Sequence, residues 1–306
     1  MILFPQPQVI QAEQFTEMPS AFRREGAPSA WAAARRSGKP IPSFLEGPSF
    51  DRAGNLYVTD IPFGRVFRIS QDGDWVLVTE YDGEPNGLKI HKDGRIFITD
   101  YKNGVMRLDP DTGKVEPAVE RRYSERFKGV NDLFFASNGD MYFTDQGRTG
   151  WNDPTGRVYR WTASGRLQCL LSNAINPNGL VLNDTENVLL VGMTNANAVW
   201  HLGLMPNDDA IAVGTFVQLS GGIGPDGLAL TEEGGLVVAH PGMGAVWIFD
   251  RKGQPLFRVN SCGSDLITNI AFGGPDNKTL FITDSGAGII QKATIPIAGR
   301  LMYSHQ

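Results

Sequence analysis

Residues 131–145 read NDLFFASNGDMYFTD, and the same pattern occurs six times along the 306-residue chain. Each copy begins with an opening residue whose side chain carries a carboxylate, carboxamide or hydroxyl oxygen. The six opening residues are Glu46, Asn86, Asn131, Asn178, Asp226 and Thr268. They follow one another at steps of 40, 45, 47, 48 and 42 residues. Because a repeat of this period with several short strands is typical of a propeller, we predict an all-β, six-bladed β-propeller.

Each copy predicts a β-hairpin followed by further strands. In residues 131–145, Leu133 and Phe135 stand two apart, as apolar side chains do on one face of a strand. The polar break ASNGD then predicts a turn, and MYFTD returns as a second strand. A third strand follows, such as GRVYRWT at 156–162, and in most copies a fourth. Since the pair is antiparallel, the return strand ends beside the opening residue.

The two ends of the chain predict how the ring closes. The last copy has only three strands, because GIIQKATI at 288–295 is followed by a short tail. A spare strand-like segment, QVIQAEQFTEM at 8–18, is expected to become the outer strand of the last blade. Residues 19–41 include a helix candidate, SAWAAARR, which we expect to form a lid or surface cover.

We expect a single domain over residues 1–306. Residues 1–45 are expected to form the closing strand and cover segment. The blades are expected to start near residues 46, 86, 131, 178, 226 and 268.

Composition and charge argue against several classes of protein. The chain has 28 basic and 33 acidic residues, a net charge of −5 and no basic run, so nucleic acid is not an expected partner. Cys169 and Cys262 lie in different repeats and predict no disulfide framework, which favours a reducing compartment. No signal peptide or membrane span is visible. We expect a cytoplasmic protein with no membrane partner, and the sequence leaves its oligomeric state open.

Closure of the ring would bring the six opening residues to one axis. Two carboxylates and three carboxamides crowded together without a partner would be costly. All are oxygen donors and none is His or Cys, so a hard divalent cation is the expected partner. The alternative is that these residues only shape the strand entrances, since glycine follows four of the six. Five aligned carboxylate or amide positions favour the metal site.

Five short phrases, in this order, resemble the senescence-marker-protein (regucalcin)/gluconolactonase family, which includes bacterial drug-responsive lactonases. They are EGPSF at 46–50, GVNDLFF at 129–135, NPNGLVL at 176–182, GPDGLAL at 224–230 and TNIAFGG at 268–274. The resemblance implies a six-bladed propeller with one catalytic divalent ion at the mouth of its channel. Carried over by motif, the implied metal ligands are Glu46, Asn131, Asn178 and Asp226. The family usually does not use the positions of Asn86 and Thr268 for metal, so Asn86 is a candidate substrate contact.

The expected reaction follows from such a site. A cation held from one side by protein oxygens can polarise a carbonyl and lower the pKa of water. With a base, these effects suffice to open a lactone, and the chain has no G-x-S-x-G nucleophile motif. We therefore expect a divalent-metal-dependent hydrolase that acts on a small lactone, such as a sugar lactone.

The base and the substrate contacts are less constrained by the sequence. The resemblance implies that Asp226 acts as base while bound to the metal, and His240 or bulk water are the alternatives. Asp132 follows an implied ligand, but strand alternation predicts that it turns away from the axis. Substrate contacts are expected from His240 and from the loops after the return strands: Tyr101, Gln146, Arg148, Trp151, Met193, Thr194 and Asn195. The recurring Thr-Asp pairs that end at Asp60, Asp100, Asp145 and Asp284 are interpreted as turn and hydrogen-bonding residues.

Metal and reaction both have alternatives. Oxygen ligands favour Ca²⁺, although Zn²⁺, Mn²⁺ or Fe²⁺ can serve the same site. Related propellers with a similar Glu/Asn/Asn/Asp site suggest a phosphotriesterase or fluorophosphatase as a second hypothesis. A non-catalytic propeller that binds metal or a protein partner is the third.

Overall fold

The computed structural model describes residues 6–36, 38–205 and 209–306. The first five residues of the predicted N-terminal segment, Ser37 of the predicted cover and residues 206–208 lie outside the described residues. The six-bladed propeller is confirmed, because the six repeats form six sheets of four or five strands. Within the described ranges, no helix is both long and apolar enough to cross a membrane.

Among the described residues, two strands and one α-helix precede the first blade, and four short 3-10 helices interrupt the connections. The strands β1 (Gln8–Gln11) and β2 (Glu13–Glu17) and the helix α1 (Ala30–Arg35) precede the first blade. The 3-10 helices are Ser20–Phe22, Ile61–Phe63, Thr194–Ala196 and Tyr303–His305.

The first three blades each contain four strands that are consecutive in sequence. Blade 1 contains β3 (Leu45–Phe50), β4 (Leu56–Asp60), β5 (Arg65–Ile69) and β6 (Trp75–Glu80). Blade 2 contains β7 (Pro85–Ile90), β8 (Ile96–Asp100), β9 (Gly104–Leu108) and β10 (Val115–Val119). A small hairpin of β11 (Arg121–Arg122) and β12 (Glu125–Arg126) follows. Blade 3 contains β13 (Val130–Phe135), β14 (Met141–Asp145), β15 (Gly156–Trp161) and β16 (Leu167–Ala174).

The last three blades repeat this arrangement. Blade 4 contains β17 (Pro177–Leu182), β18 (Val188–Met193), β19 (Ala198–Leu204) and β20 (Ala210–Gln218). Blade 5 contains β21 (Leu228–Leu230), β22 (Leu236–His240), β23 (Ala245–Phe249) and β24 (Pro255–Asn260). Blade 6 contains β25 (Ile267–Gly273), β26 (Thr279–Asp284) and β27 (Ile289–Thr294). The innermost strands of successive blades contact one another, and β25 contacts β3, so the ring is closed.

The N-terminal segment closes the ring, as expected, but it divides into two strands. β2 pairs antiparallel with β27 and completes blade 6, with Glu13 opposite Lys292. β1 instead runs parallel to β24 and adds a fifth strand to blade 5. The expectation that all of residues 8–18 joins the last blade is therefore wrong for its first half. Ala12 lies between the two strands, where its backbone N–H donates to Asn260 (2.9 Å) and its side chain enters the core between blades 5 and 6.

The hydrophobic core lies between neighbouring blades. Between blades 6 and 1, for example, Phe67 and Val58 pack with Phe281 and Ile290, and Met18 fills the end of the same cluster. The alternating apolar positions of the first and second strands face these layers. Burial of each large side chain contributes roughly 1.5–3 kcal/mol. Because this burial takes place between neighbouring blades, each repeat depends on its neighbours for stability.

The C-terminal segment (residues 299–306) crosses the face of the ring opposite the opening residues. Arg300 donates to Leu182 (3.0 Å) and pairs with Glu186 (2.7 Å), while Tyr303 stacks on Phe135. Above this segment lies a cavity of about 30 Å³ on the axis. Every innermost strand contributes to its lining, including Ser49, Lys89, Phe134, Val181, Ala229 and Ala271. The segment therefore closes the far end of the channel.

Candidate active site

Hydrogen bonds between neighbouring blades bring the six opening residues into one ring. At three junctions a threonine hydroxyl of a Thr-Asp pair donates to the backbone carbonyl of the next opening residue: Thr59 to Asn86 (2.6 Å), Thr99 to Asn131 (2.5 Å) and Thr144 to Asn178 (2.9 Å). The other three bonds run from Gly179 N–H to Asp226 (3.2 Å), from Gly227 N–H to Thr268 (2.8 Å) and from the Thr268 hydroxyl to Leu45 (3.1 Å). The convergence predicted from the repeats is thus seen in the backbone.

The aspartates of the Thr-Asp pairs hold the segments that lead into each innermost strand. Each is fully buried and accepts a hydrogen bond from a backbone amide of its own blade. The backbone N–H of Phe44 donates to Asp60 (2.6 Å), that of Glu84 to Asp100 (3.0 Å), that of Gly129 to Asp145 (2.8 Å) and that of Ser264 to Asp284 (2.7 Å). These contacts agree with the interpretation of the four aspartates as hydrogen-bonding rather than catalytic residues.

An irregularity at the start of the innermost strand lets two consecutive side chains face the axis. In five blades the pairing register shifts at the opening residue, as a β-bulge produces. A Cβ atom on Gly87 would lie 2.4 Å from Oδ1 of Asp132, and one on Gly227 would lie 2.1 Å from Oδ1 of Asn269. Asp132 and Asn269 therefore project into the channel. The expectation that alternation turns Asp132 away is wrong, because the bulge interrupts the alternation.

Asp132 and Asn269 form a layer directly beneath the ring. Asn269 Nδ2 donates to Oε2 of Glu46 (2.9 Å) and lies 3.5 Å from Oδ2 of Asp132. The two residues belong to blades 3 and 6, which face each other across a six-membered ring. Glycine occupies the equivalent position in the other four blades. This break in the glycine pattern is the sequence signal that would have identified the layer.

Three carboxyl groups with raised pKa values meet in this region. Burial raises the pKa of Glu46 to about 7, although hydrogen bonds from Asn269 and Gly47 oppose the rise. Burial also raises the pKa of Asp226 well above its ordinary value, and repulsion by Glu46 and Asp132 adds to it. Burial raises the pKa of Asp132, with the Lys89 charge opposing. The region therefore favours an added positive charge.

The side chain of Asn178 presents an oxygen with no protein partner. Its Nδ2 donates to the hydroxyl of Thr194 (3.2 Å), which in turn donates to Pro225 (2.8 Å). This pair of bonds fixes the amide, and its Oδ1 is buried without a hydrogen bond among the described residues. Within that part of the chain no three His, Cys, Asp or Glu side chains form a metal cluster, so an ion here requires carboxamide oxygens. Asn178 supplies one, which fits a hard divalent cation.

The remaining opening residues differ in how their side chains are occupied. The Thr268 hydroxyl contacts Ser285 (2.8 Å) as well as Leu45, so it is committed to the protein. Asn86 and Asn131 are buried, and neither side chain has a hydrogen-bond partner within the described ranges. Both amides are therefore available to an ion or to a substrate.

His240 has no free ring nitrogen. Trp247 donates to its Nδ1 (3.2 Å), so Nε2 carries the proton and donates to the carbonyl of Gly221 (3.0 Å). The residue is fully buried, and burial lowers its pKa, which keeps the ring neutral. The contacts thus describe a structural histidine rather than the predicted proton-transfer or substrate contact.

The predicted substrate contacts divide into buried and accessible groups. Met193 is fully buried in the core, and Thr194 holds Asn178 from below. Gln146 Nε2 donates to Asn176 (3.3 Å), two residues before Asn178, and Asn195 donates to the backbone carbonyl of Thr149 (2.9 Å). Tyr101 and Arg148 contact the cover helix through Arg35 and Ala34, and Trp151 is 70% exposed. The accessible candidates therefore lie in the loops of blades 2, 3 and 4, since Asn195 is also exposed.

Comparison with known proteins identifies the family. A family model described as SMP-30/gluconolactonase/LRE-like region matches residues 44–286. Lactonase drp35 of Staphylococcus aureus is 30% identical over 228 residues, which cover 70% of this chain and 69% of the relative. Two solved structures share the fold: a gluconolactonase from Xanthomonas campestris (TM-score 0.74, 23% identity, 92% of this chain and 98% of that chain) and the calcium-binding protein regucalcin from Agrobacterium tumefaciens (0.76, 19%, 98% and 100%). The predicted resemblance is confirmed: the chain belongs to the SMP-30/gluconolactonase/LRE-like family.

Proposed function

We propose that this protein is a divalent-metal-dependent lactonase that opens a small cyclic ester with water. Glu46, Asn131, Asn178 and Asp226 hold the ion, and Ca²⁺ suits an all-oxygen ligand set. Family membership and the lactonase and gluconolactonase names of the relatives support the reaction class. The calcium-binding regucalcin relative is consistent with the choice of metal.

The unpartnered oxygen of Asn178 is the observation that carries the metal site. A buried acceptor without a hydrogen bond costs about 1–3 kcal/mol, and the bond to Thr194 prevents the amide from turning to find one. Burial raises the pKa values of both Glu46 and Asp226, so ionising the two carboxyl groups together is unfavourable without a compensating positive charge. A divalent ion coordinated by these groups removes both costs.

The residues of the ring have distinct roles in the proposed reaction. A bound divalent ion would supply polarisation of the lactone carbonyl and a lowered pKa of water. Asp226 retains accessible surface, whereas Glu46 is only 3% exposed. Asp226 is therefore the carboxylate that accepts the proton from the attacking water, while Glu46 balances charge. Asn86, Tyr101, Arg148 and Trp151 contact the substrate at the mouth.

Metal analysis of protein purified without added metal, followed by an acid-release assay on a lactone panel, tests this function. We expect stoichiometric divalent metal, loss of hydrolysis on chelation and recovery on adding Ca²⁺. Asn178→Leu keeps the side-chain size but removes the oxygen, so metal affinity should fall at least tenfold, whereas Asn86→Ala should retain the metal. Full hydrolysis after verified metal removal would refute the mechanism. Hydrolysis of phosphotriesters but not of lactones would assign the same metal site to the other reaction.

A further inference from the structure

The cover segment (residues 19–36 and 38–41) contacts the mouth-side loops of blades 1, 2 and 3. Trp31 of α1 packs on Phe44 and Ile61, and the hydroxyl of Ser29 donates to Pro62 (3.0 Å). At the other end of the helix, the guanidinium of Arg148 donates to the carbonyl of Ala34. The helix is therefore attached at both ends, and its last residue, Arg35, lies over the Tyr101 ring in the loop of blade 2.

Arg35 contacts the wall of the mouth through the face of its guanidinium, so its N–H groups are not used in that contact. Its guanidinium carbon lies 4.0 Å from the centre of the Tyr101 ring. That ring packs directly on the backbone of Gly129, two residues before Asn131, because a Cβ atom on Gly129 would lie 2.3 Å from it. Nη2 of Arg35 is buried and has no hydrogen-bond partner in the described part of the chain. A guanidinium held in this way offers its donors to an acceptor that the protein does not provide.

The neighbouring charges do not satisfy Arg35. Glu84 is close enough that the Arg35 charge opposes the rise that burial causes in its pKa, yet no ion pair joins the two among the described residues. Arg24, by contrast, pairs with Glu80 at 2.5 Å. The contact of Arg148 with Ala34 adds a second guanidinium at the adjacent residue. Arg35 and Arg148 thus place two cationic side chains next to Tyr101 on one side of the mouth.

We propose that Arg35, assisted by Arg148, forms a subsite for a carboxylate on the substrate, so that the preferred lactones are acidic ones. This inference rests on the proposed lactonase function, because it places the lactone carbonyl at the ring and the carboxylate beneath the cover. The planar guanidinium edge can hold a carboxylate through two parallel hydrogen bonds, which fixes the orientation as well as the charge of the substrate. A neutral lactone of equal size gains neither contact.

A matched pair of lactones tests the subsite. D-Glucaro-1,4-lactone carries a free carboxylate where D-glucono-1,4-lactone carries a hydroxymethyl group. We expect kcat/KM for the acidic lactone to exceed that for the neutral one at least tenfold. Arg35→Gln should remove this preference and leave the neutral lactone within about threefold. Arg36→Gln is the matched control, since Arg36 is the next residue of the cover and lies over Phe44 (4.9 Å) rather than over Tyr101. Equal losses on both lactones in Arg35→Gln would show that Arg35 only holds the cover, and would overturn the proposal.

Calorimetric binding of the ring-opened acids separates this proposal from the lactonase function. In Ca²⁺-loaded protein, D-glucarate should bind at least tenfold more tightly than D-gluconate, a ratio larger than the statistical advantage of carrying a second carboxylate. The preference should vanish in Arg35→Gln and persist in Arg36→Gln. Such a result supports the subsite even if neither lactone is hydrolysed. Equal binding by the wild-type protein, or a preference that survives Arg35→Gln, overturns it even if both lactones are hydrolysed.

Discussion

The metal-free protein should lose stability as the pH rises from about 4.5 to 7, and Glu46 should account for a defined share of the loss. Burial raises the pKa of Glu46 from 4.5 to about 7. Between these values the folded state holds a proton that the unfolded state releases, so the stabilisation is complete below pH 4.5 and is lost as the pH approaches 7. At about 1.4 kcal/mol per pH unit, the gap corresponds to about 3 kcal/mol.

Chemical denaturation of chelated protein at several pH values measures this share. Glu46→Gln has no titrating group, so its free energy of unfolding should fall by about 3 kcal/mol less than that of the wild type between pH 4.5 and 7.5. Removing Glu46 also removes a repulsion that raises the pKa of Asp226. The variant should therefore lose still less stability than the wild type as the pH rises. Glu233→Gln, on an exposed turn, is the matched control. Saturating Ca²⁺ should reverse the trend in the wild type, because the ion binds the ionised form. Parallel pH profiles for wild type and Glu46→Gln would refute the reasoning.

Three further predictions concern catalysis, packing and closure. Asp226→Asn keeps an oxygen ligand but removes the base, so kcat should fall about 10²-fold even at saturating metal; rescue by excess metal would reduce Asp226 to a ligand. Gly87→Ala would place a Cβ atom 2.4 Å from Asp132, so urea denaturation should show that the free energy of unfolding falls by about 1–3 kcal/mol. Gly203→Ala, where the nearest contact is 3.2 Å, should lose less stability. Equal losses in the two variants would contradict the packing argument. Deletion of residues 1–18 exposes the edges of β24 and β27, so the product should aggregate or melt well below the full chain, and an equally stable monomer would show that closure lies elsewhere.

The repeats determined the fold because period and alternation are properties of each copy separately. A six-fold recurrence of strand, turn and strand leaves few ways to bury the apolar faces, and the ring follows without knowledge of any contact. The opening residues could be placed at the axis for the same reason. Asn178 was identified by its position, but the absence of a partner for its oxygen depends on Thr194, which comes from an irregular loop.

The errors arose where local rules are overridden by neighbours. Strand alternation predicted that Asp132 faces away from the axis, but a bulge between Val130 and Leu133 shifts the alternation of side chains. The pattern of apolar residues in the sequence does not reveal such a bulge. The N-terminal segment read as one strand because nothing in its pattern marks Ala12 as the point where the chain changes blades. No local pattern in the helix candidate marks Arg35, since its position over Tyr101 depends on the tertiary attachment of that helix.

The closed far end of the channel has a kinetic consequence. The C-terminal segment anchored by Arg300 leaves the ring open at one side only, so reactants cannot pass through the protein from end to end. The product acid must leave by the route through which the next lactone arrives. Product and substrate therefore exclude each other, and accumulated acid should inhibit competitively. At high conversion, the rate is then limited by release of the product through the one open end of the channel.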